Sequence, residues 1–247
     1  KYGMSVSQTM SVAQRLYEQG LITYMRTDSV NLSQLAINAC KEEVTALFGE
    51  KYSNPRNYTT HSKGAQEAHE AIRPSYINRR EIDGTAVEKR LYDLIWKRTV
   101  ASQMVPADID RTTINIAMSD RTECFVATGD TMRFDGFMRL YSESVDDDNQ
   151  DGEHTATLPL LKQGEVVKAQ SIVATERFTQ PPLRYNEASL VKRLEELGIG
   201  RPSTYAPTIS TIITRGYVEK SSRPAQKRNY TAITLRGTNI TEKVATE

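Results

Sequence analysis

The spacing of apolar residues changes along the chain, and this change most constrains the fold. In residues 1–104 apolar side chains recur every three to four residues, which is typical of amphipathic helices. Residues 105–183 are rich in Ile, Thr and Val with partial alternation, which indicates strands. Residues 184–247 open with another helical pair. We therefore predict an α+β multidomain fold with a helical domain over 1–104, a β-rich domain over 105–183 and a partial helical domain over 184–247.

The first domain is predicted to hold three helices, and the apolar stripes of these helices are expected to form its core. They cover residues 7–19, residues 31 or 33 to 48, and residues 85–103. Gly20 and Gly49 stand where a left-handed residue ends a helix. Trp96 lies beside the apolar stripe of the third helix and is also assigned to the core.

The second domain is predicted to consist of strands. They cover residues 110–118, 123–128, 131–141 and 164–175, the first two paired as a hairpin. The acidic run 142–154 is predicted to be a flexible loop. Its three consecutive aspartates, Asp146 to Asp148, are assigned to solvent rather than to a metal, since neighbouring acidic residues in such a loop are usually solvated.

The third domain begins with two helices joined by a short glycine turn. Asn186 is a helix-capping residue, and Gly198 ends that helix in a Schellman closure. The next helix ends at Gly216 and is followed by a basic, β-rich stretch, residues 217–235. This order of elements is the outline of a winged helix.

Composition narrows the class of protein. The 247 residues are 38% hydrophobic and 26% charged, too apolar for wholesale disorder. No apolar run approaches the roughly 20 residues that span a bilayer, so no membrane partner is predicted. The two cysteines, Cys40 and Cys124, argue against a disulfide framework and a cysteine-ligated zinc site, and fit a reducing cytoplasm.

The net charge of +1 conceals an uneven distribution. Residues 105–183 carry 7 Lys and Arg against 14 Asp and Glu, whereas residues 184–236 carry 10 against 4. A basic segment of this kind suits a polyanionic partner, although an ordinary solvated surface would have the same composition.

The stretch around Tyr24 carries the first candidate site. Leu21 and Ile22 are apolar and can anchor it to a core, while Tyr24, Arg26 and Asp28 alternate and would share one face of an extended segment. A tyrosine beside a fixed cation is the minimum needed to attack a phosphodiester and hold the product. On these residues alone, Tyr24 as a packing residue remains open.

Two more stretches could bind or transfer a phosphate. His69 and Arg73 lie four residues apart and would share a face if this piece is helical, with Pro74 ending it. His69 is either a proton-transfer group or surface filler. Arg201, with the hydroxyls of Ser203 and Thr204, can form a phosphate-binding corner at a helix start, or merely the basic exterior of a helical hairpin.

Taken together, three stretches resemble the signature of type IA DNA topoisomerases, most closely the bacterial members, in order and spacing. They read LITYMRTDS from residue 21, QEAHEAIRP from residue 66 and GIGRPSTY from residue 198. The resemblance spans the chain from the first predicted helix to about residue 220. It implies an ATP-independent enzyme that cleaves and rejoins single-stranded DNA through a 5′-phosphotyrosyl intermediate and relaxes negatively supercoiled DNA.

The resemblance also implies residue roles. Tyr24 matches the nucleophile, Arg26 the arginine that neutralises charge on the scissile phosphate, and His69 the active-site histidine. Arg73 would steady the nearby backbone and border the DNA. The residues matching those that line the single-strand groove are Arg201, Ser203 and Thr204.

Departures from the family pattern limit what this chain is expected to do alone. Nothing in it resembles the N-terminal Toprim domain, which supplies the Mg²⁺ ligands in the family, so no metal ligand is predicted here. We expect an internal piece of a longer bacterial enzyme, cytoplasmic and nucleoid-associated, comprising the tyrosine-bearing domain, part of the β-rich arch and part of the winged-helix-like base domain. The Toprim domain of the same polypeptide would be its partner, and the piece alone would be inactive.

Two rival hypotheses come from other classes. A non-enzymatic winged-helix protein would bind duplex DNA through the basic third domain, independently of Tyr24. A structural scaffold has only the acidic middle segment in its favour.

Overall fold

The computed structural model describes residues 2–58, 69–142, 158–159, 161–179, 181–222, 224 and 226–246. The chain forms two compact units: Lys1–Leu158 with Tyr185–Arg215, and Pro159–Arg184 with Gly216–Glu247. The mixed α/β content agrees with the predicted class. The division into three domains stays a prediction.

The described residues of the first unit form five α-helices, at or near the predicted positions. They are α1 (Val6–Glu18), α2 (Gln34–Phe48), α3 (Ala86–Ser102), α4 (Glu187–Glu196) and α5 (Tyr205–Thr214). Of the two candidate caps for α2, Ser33 is the N-cap, and its hydroxyl accepts a hydrogen bond from the Ala36 N–H at 3.4 Å. Gly20 follows α1 with a φ of +69°, the left-handed conformation expected at that position. No helix in these described ranges is long and apolar enough to cross a membrane.

The core of this unit lies between α1, α2, α3 and the start of the Tyr24 segment. The apolar stripes bury Leu16 from α1, Val44 from α2 and Val100 from α3. Leu21 and Ile22 are buried as predicted and fix the chain just before Tyr24. Trp96 is fully buried, which confirms its assignment to the core.

The predicted hairpin is present. Strand β1 (Asp108–Ala117) pairs antiparallel with β2 (Cys124–Phe134), with Thr113 opposite Thr128. The two strands predicted over residues 123–128 and 131–141 are one strand, β2, so the predicted break between them is wrong. The strand ends at Phe134, and a 3-10 helix, Gly136–Arg139, follows. Gly136 has a φ of +48°, and a Cβ there would lie 2.5 Å from the carbonyl oxygens of Val105 and Pro106, so the chain turns sharply against that backbone.

The second unit holds a three-stranded antiparallel sheet in the order β3-β4-β5. Its strands are β3 (Ile172–Thr175), β4 (Asn229–Arg236) and β5 (Asn239–Thr246). Only the last part of the predicted strand over 164–175 is a strand, and β5 was not predicted. Because β3 and β4 lie on either side of residue 183, the sheet joins segments from both sides of that predicted boundary. The winged-helix arrangement stays a prediction.

Glu88 joins α1 to α3. It lies at the third position of α3 and forms a capping box with Thr85, whose hydroxyl accepts from the Glu88 N–H while the carboxylate accepts from the Thr85 N–H at 2.8 Å. The same carboxylate accepts from Arg15 Nε on α1 at 2.7 Å. Donation from Arg15, and then from Thr85, lowers the pKa of Glu88 from 4.5 to about 2.

We expect the Glu88 contacts to make stability depend on acid pH. Since the folded pKa lies below its ordinary value, this contribution is fully present above about pH 4.5 and is lost as the pH falls towards 2. Glu88→Gln should therefore be less stable than the parent near neutral pH, and the difference should shrink in acid. Urea unfolding at several pH values measures it, with the exposed Glu42→Gln as control. A difference that is independent of pH would contradict the expectation.

Candidate active site around Tyr24

The Tyr24 segment is held by the stretch that contains the second motif. Ile22 and Pro74 form an isolated antiparallel bridge. On either side of it, the Thr23 N–H donates to the Arg73 carbonyl and the Ser75 N–H donates to the Leu21 carbonyl, both at 2.9 Å. Two motifs that are distant in sequence thus share a short stretch of sheet-like backbone.

This pairing brings His69 to Tyr24. Their ring centroids lie 4.9 Å apart with the planes inclined by 44°. The Tyr24 ring also packs against that of Tyr17, from the end of α1, with the centroids 5.3 Å apart and the planes inclined by 69°. Tyr24 is half-buried and packs against the core, whereas His69 is exposed. The nucleophile candidate and the histidine candidate therefore form one cluster.

Residues 69–73 are not helical, so His69 and Arg73 do not share a helical face. Hydrogen bonds to the Tyr24 segment keep this piece extended, and Pro74 disfavours helix at Arg73. Residues 66–68 of the motif lie outside the described part of the chain.

Arg73 is engaged with its own surroundings. Its side chain is 12% exposed and donates to Glu70 at 2.6 Å. It also donates to the carbonyls of Pro74 at 2.9 Å and Ser75 at 3.3 Å. Hydrogen bonding from Arg73 lowers the pKa of Glu70. This geometry suits a residue that steadies the backbone, while its predicted place beside DNA stays a prediction.

Arg26, unlike Arg73, is not engaged by neighbouring residues that the structure describes. It is exposed, and it makes no hydrogen bond or ion pair with any residue that the structure describes. Met25, between it and Tyr24, is buried and fixes the backbone there. The Arg26 guanidinium is therefore available to an anion that approaches Tyr24 from solvent.

The third motif forms a tight turn between α4 and α5. Gly198 and Ile199 close α4 as predicted: the Ile199 N–H donates to the Leu194 carbonyl at 2.8 Å and the Gly198 N–H to the Glu195 carbonyl at 2.9 Å. Gly200 has a φ of +81°, and a Cβ there would lie 3.1 Å from Thr204 Oγ1. Gly198 also has a positive φ, +67°, so both glycines adopt a backbone conformation that other residues rarely take.

Arg201, Ser203 and Thr204 are exposed on this turn. Thr204 is the N-cap of α5 by position, but its hydroxyl does not cap the helix; it accepts from the Arg201 N–H at 2.8 Å and closes the turn. The Arg201 guanidinium donates to the Gly200 carbonyl at 2.8 Å. The turn thus presents a cation and two hydroxyls to solvent, while its capping geometry differs from the one predicted.

The first motif lies near the end of α4, because Asp28 and Ser29 line the same cavity as Glu195. Glu187, at the start of α4, accepts from the Val6 N–H at the start of α1 at 2.7 Å. Burial raises the pKa of the Tyr205 phenol; the negative charges of Glu195 and Asp28 raise it further, and Arg201 opposes them. The sequence analysis assigned no site role to Tyr17, which belongs to the apolar stripe of the first helix, or to Tyr205, the last residue of the third motif.

The described residues contain no group of three His, Cys, Asp or Glu side chains that could hold a metal ion. Asp146 to Asp148 and His154 lie outside the described residues. The chemistry of the side chains around Tyr24, two aromatic rings and a guanidinium, likewise does not fit a Mg²⁺ site.

Comparison with known proteins identifies the family. A sequence model described as DNA topoisomerase matches residues 1–246 of the chain. The chain belongs to the DNA topoisomerase family. This confirms the resemblance drawn from the three motifs and does not support the non-enzymatic winged-helix protein.

Individual topoisomerases show how much of the family's length is present. The chain is 47% identical over 223 residues to DNA topoisomerase 1 of Zymomonas mobilis, covering 88% of the chain and 18% of the relative. It is 49% identical over 236 residues to DNA topoisomerase 1 of Mycolicibacterium smegmatis, covering 89% and 25%. The structure of full-length topoisomerase I from Thermotoga maritima matches with a TM-score of 0.72 at 37% identity, over 90% of the chain and 36% of that protein. The chain thus spans well under half the length of each.

Proposed function

We propose that this chain is the tyrosine-bearing part of a type IA topoisomerase that cleaves and rejoins single-stranded DNA and so relaxes negative supercoils without ATP. The observation that carries the proposal is the cluster at Tyr24: its ring packs against His69 at 4.9 Å, and the exposed Arg26 follows two residues later. Membership of the topoisomerase family supports the same assignment.

In the proposed reaction the Tyr24 oxygen attacks a backbone phosphorus. The new bond is a 5′-phosphotyrosyl ester; the bond between phosphorus and the 3′-oxygen breaks, and that oxygen leaves as a 3′-hydroxyl after taking a proton. A phenol is largely protonated near pH 7, so its proton must be removed during attack. Rejoining reverses these steps and needs no ATP, because the phosphodiester energy is kept in the new ester.

The neighbours of Tyr24 have distinct proposed roles. Arg26 neutralises the charge that develops on the scissile phosphate, and its exposure without a described partner supports this role. His69 contacts the phosphate or assists the movement of the proton, and its contact with the Tyr24 ring supports that role.

We further propose that the single strand passes the turn between α4 and α5. Arg201, Ser203 and Thr204 are exposed there and suit sugar-phosphate contacts without base specificity. Arg73 is proposed to support DNA binding by fixing the backbone beside the Tyr24 segment, through its hydrogen bonds to the carbonyls of Pro74 and Ser75.

We propose that the rest of the catalytic machinery belongs to another part of the full-length polypeptide. A Toprim domain of the same polypeptide would supply the ligands for Mg²⁺, whose chemistry when bound is to offset phosphate charge. The proposed substrates are single-stranded and negatively supercoiled DNA, and the proposed setting is the nucleoid in the bacterial cytoplasm.

End-labelled DNA tests the proposal. The full-length enzyme is incubated with a single-stranded oligonucleotide labelled at its 3′ or its 5′ end, and then denatured. A 5′-phosphotyrosyl link joins the protein to the fragment that carries the 3′ end, so we expect the 3′ label to migrate with the protein and the 5′ label to be released. A protein-bound 5′ label, or no bound label with either substrate, would overturn the proposal.

A further inference from the structure

Both ends of the loop that carries Tyr24 are hydrogen-bonded to one residue, Ala71. The Ala71 N–H donates to the Asn31 carbonyl at 2.8 Å, after the loop. The Ala71 carbonyl accepts from the Thr23 hydroxyl at 2.7 Å, before the loop. Residues 24–30, which include Tyr24, Arg26 and Asp28, thus form a loop whose two ends are held together by hydrogen bonds to Ala71.

Among the described side chains at the two ends of this loop, that of Thr23 makes the most hydrogen bonds to residues 71–73. Its hydroxyl donates to the Ala71 carbonyl and accepts from the Arg73 N–H at 2.9 Å. Its own N–H donates to the Arg73 carbonyl at 2.9 Å. The hydroxyl is therefore satisfied as donor and as acceptor, and it fixes the register between residue 23 and residues 71–73.

This register decides where His69 lies. His69 precedes Ala71 by two residues, and its ring meets Tyr24, the residue after Thr23, at 4.9 Å. A shift of the Ala71 to Arg73 backbone along Thr23 would move the histidine relative to the phenol. The Ile22 to Pro74 bridge supports the pairing through the backbone. Among the residues that the structure describes, Thr23 is the only one whose side chain hydrogen-bonds to both Ala71 and Arg73.

We infer that Thr23 is a positioning residue: its hydroxyl sets the Tyr24 loop and His69 in the geometry needed for strand cleavage. The inference rests on the proposed function. The hydroxyl touches backbone groups only, so it acts through Tyr24 and His69 and not on the DNA. Misplacement of reacting groups by about 1 Å can cost about 100-fold in rate.

The test compares two substitutions in the full-length enzyme. Thr23→Val keeps the branched shape and removes the hydroxyl, leaving the Arg73 N–H and the Ala71 carbonyl without their partner. Thr23→Ser keeps the hydroxyl. The matched control is Thr9→Val on α1, where a half-buried threonine hydroxyl likewise donates to a backbone carbonyl, that of Ser5, at 2.9 Å.

Two quantities are measured for each variant: the rate of covalent adduct formation at saturating single-stranded DNA, and the affinity for the same DNA when the variant is combined with Tyr24→Phe so that no adduct forms. We expect Thr23→Val to slow adduct formation by about 10- to 100-fold with affinity changed less than about twofold. Thr23→Ser should recover most of the rate, and Thr9→Val should cleave like the parent. Far-UV circular dichroism and urea unfolding verify that each variant is folded.

The outcomes separate this inference from the function on which it rests. If Thr23→Val cleaves at the parental rate while Tyr24→Phe is inactive, the inference is overturned and the proposed function stands. Equal losses in Thr23→Ser and Thr23→Val would also overturn it, because the hydroxyl would then not be the determinant. An adduct that still forms in Tyr24→Phe would overturn both. If Thr23→Val fails to fold, the rate and affinity of Thr23→Ser decide the question, since slow cleavage with the hydroxyl present contradicts the inference and normal cleavage supports it.

Discussion

Replacing Tyr24 with phenylalanine is expected to abolish the covalent link between the full-length enzyme and DNA. The substitution removes one oxygen and keeps the ring that packs against Tyr17 and His69, so the local structure should persist. Loss of a nucleophile that has no substitute lowers the rate by on the order of 10⁴-fold or more. The measurement is the amount of protein-bound 3′-labelled strand, together with relaxation of negatively supercoiled plasmid.

Tyr17 provides a matched control for this experiment. Its ring lies 5.3 Å from that of Tyr24. Its side chain is accessible to solvent, so its phenol is the neighbouring group that could be mistaken for the nucleophile. We expect Tyr17→Phe to form adduct at close to the parental rate and Tyr24→Phe to keep its affinity for single-stranded DNA. If the activities were reversed, with Tyr17→Phe inactive and Tyr24→Phe active, the nucleophile would have been assigned to the wrong residue.

Replacing Trp96 with alanine is expected to cause the largest loss of stability. Its side chain is completely buried, its Nε1–H donates to the Ile77 carbonyl at 2.7 Å, and the Arg80 guanidinium lies 5.4 Å from the ring centroid. Truncating a buried tryptophan costs about 3–5 kcal/mol through lost burial and the cavity that remains. The Ile77 carbonyl would also lose its partner, which makes the upper part of that range the expected result.

Trp96→Phe separates the contribution of side-chain burial from that of the hydrogen bond to Ile77. Phenylalanine keeps much of the buried area but has no N–H, so we expect a smaller loss of about 1–3 kcal/mol. Urea unfolding followed by far-UV circular dichroism measures both variants, since Trp96 is the only tryptophan and fluorescence would report only on the parent. A loss below about 1 kcal/mol in Trp96→Ala would contradict the assignment of this residue to the centre of the core.

Much of the fold could be predicted because its signals are local. Helix α2 begins at Ser33, which caps it, and helix α1 ends at Gly20, which adopts a positive φ. The predictions failed where a distant part of the chain intervenes. The strand predicted to run past Phe134 ends because Gly136 meets the backbone of Val105 and Pro106, and β5 forms as the partner of β4.

The candidate site was predictable as a set of residues but not as a geometry. The alternation of Tyr24, Arg26 and Asp28 and the two other motifs could be read from the chain directly. Nothing local indicated that Arg73 would be engaged by Glu70 and its own backbone, or that Tyr17 would pack on Tyr24. Those contacts depend on which segments lie side by side.

The sequence by itself determined the helices of the first unit, the apolar pair before Tyr24 and the three motifs that indicate a topoisomerase, because each depends on residues only a few positions apart. Only the tertiary structure decided that His69 meets Tyr24, that Thr23 binds both Ala71 and Arg73, and that Asp28 and Glu195 line one cavity. These contacts join segments far apart in the chain. Their register is set by backbone hydrogen bonds and core packing, which local sequence patterns do not specify.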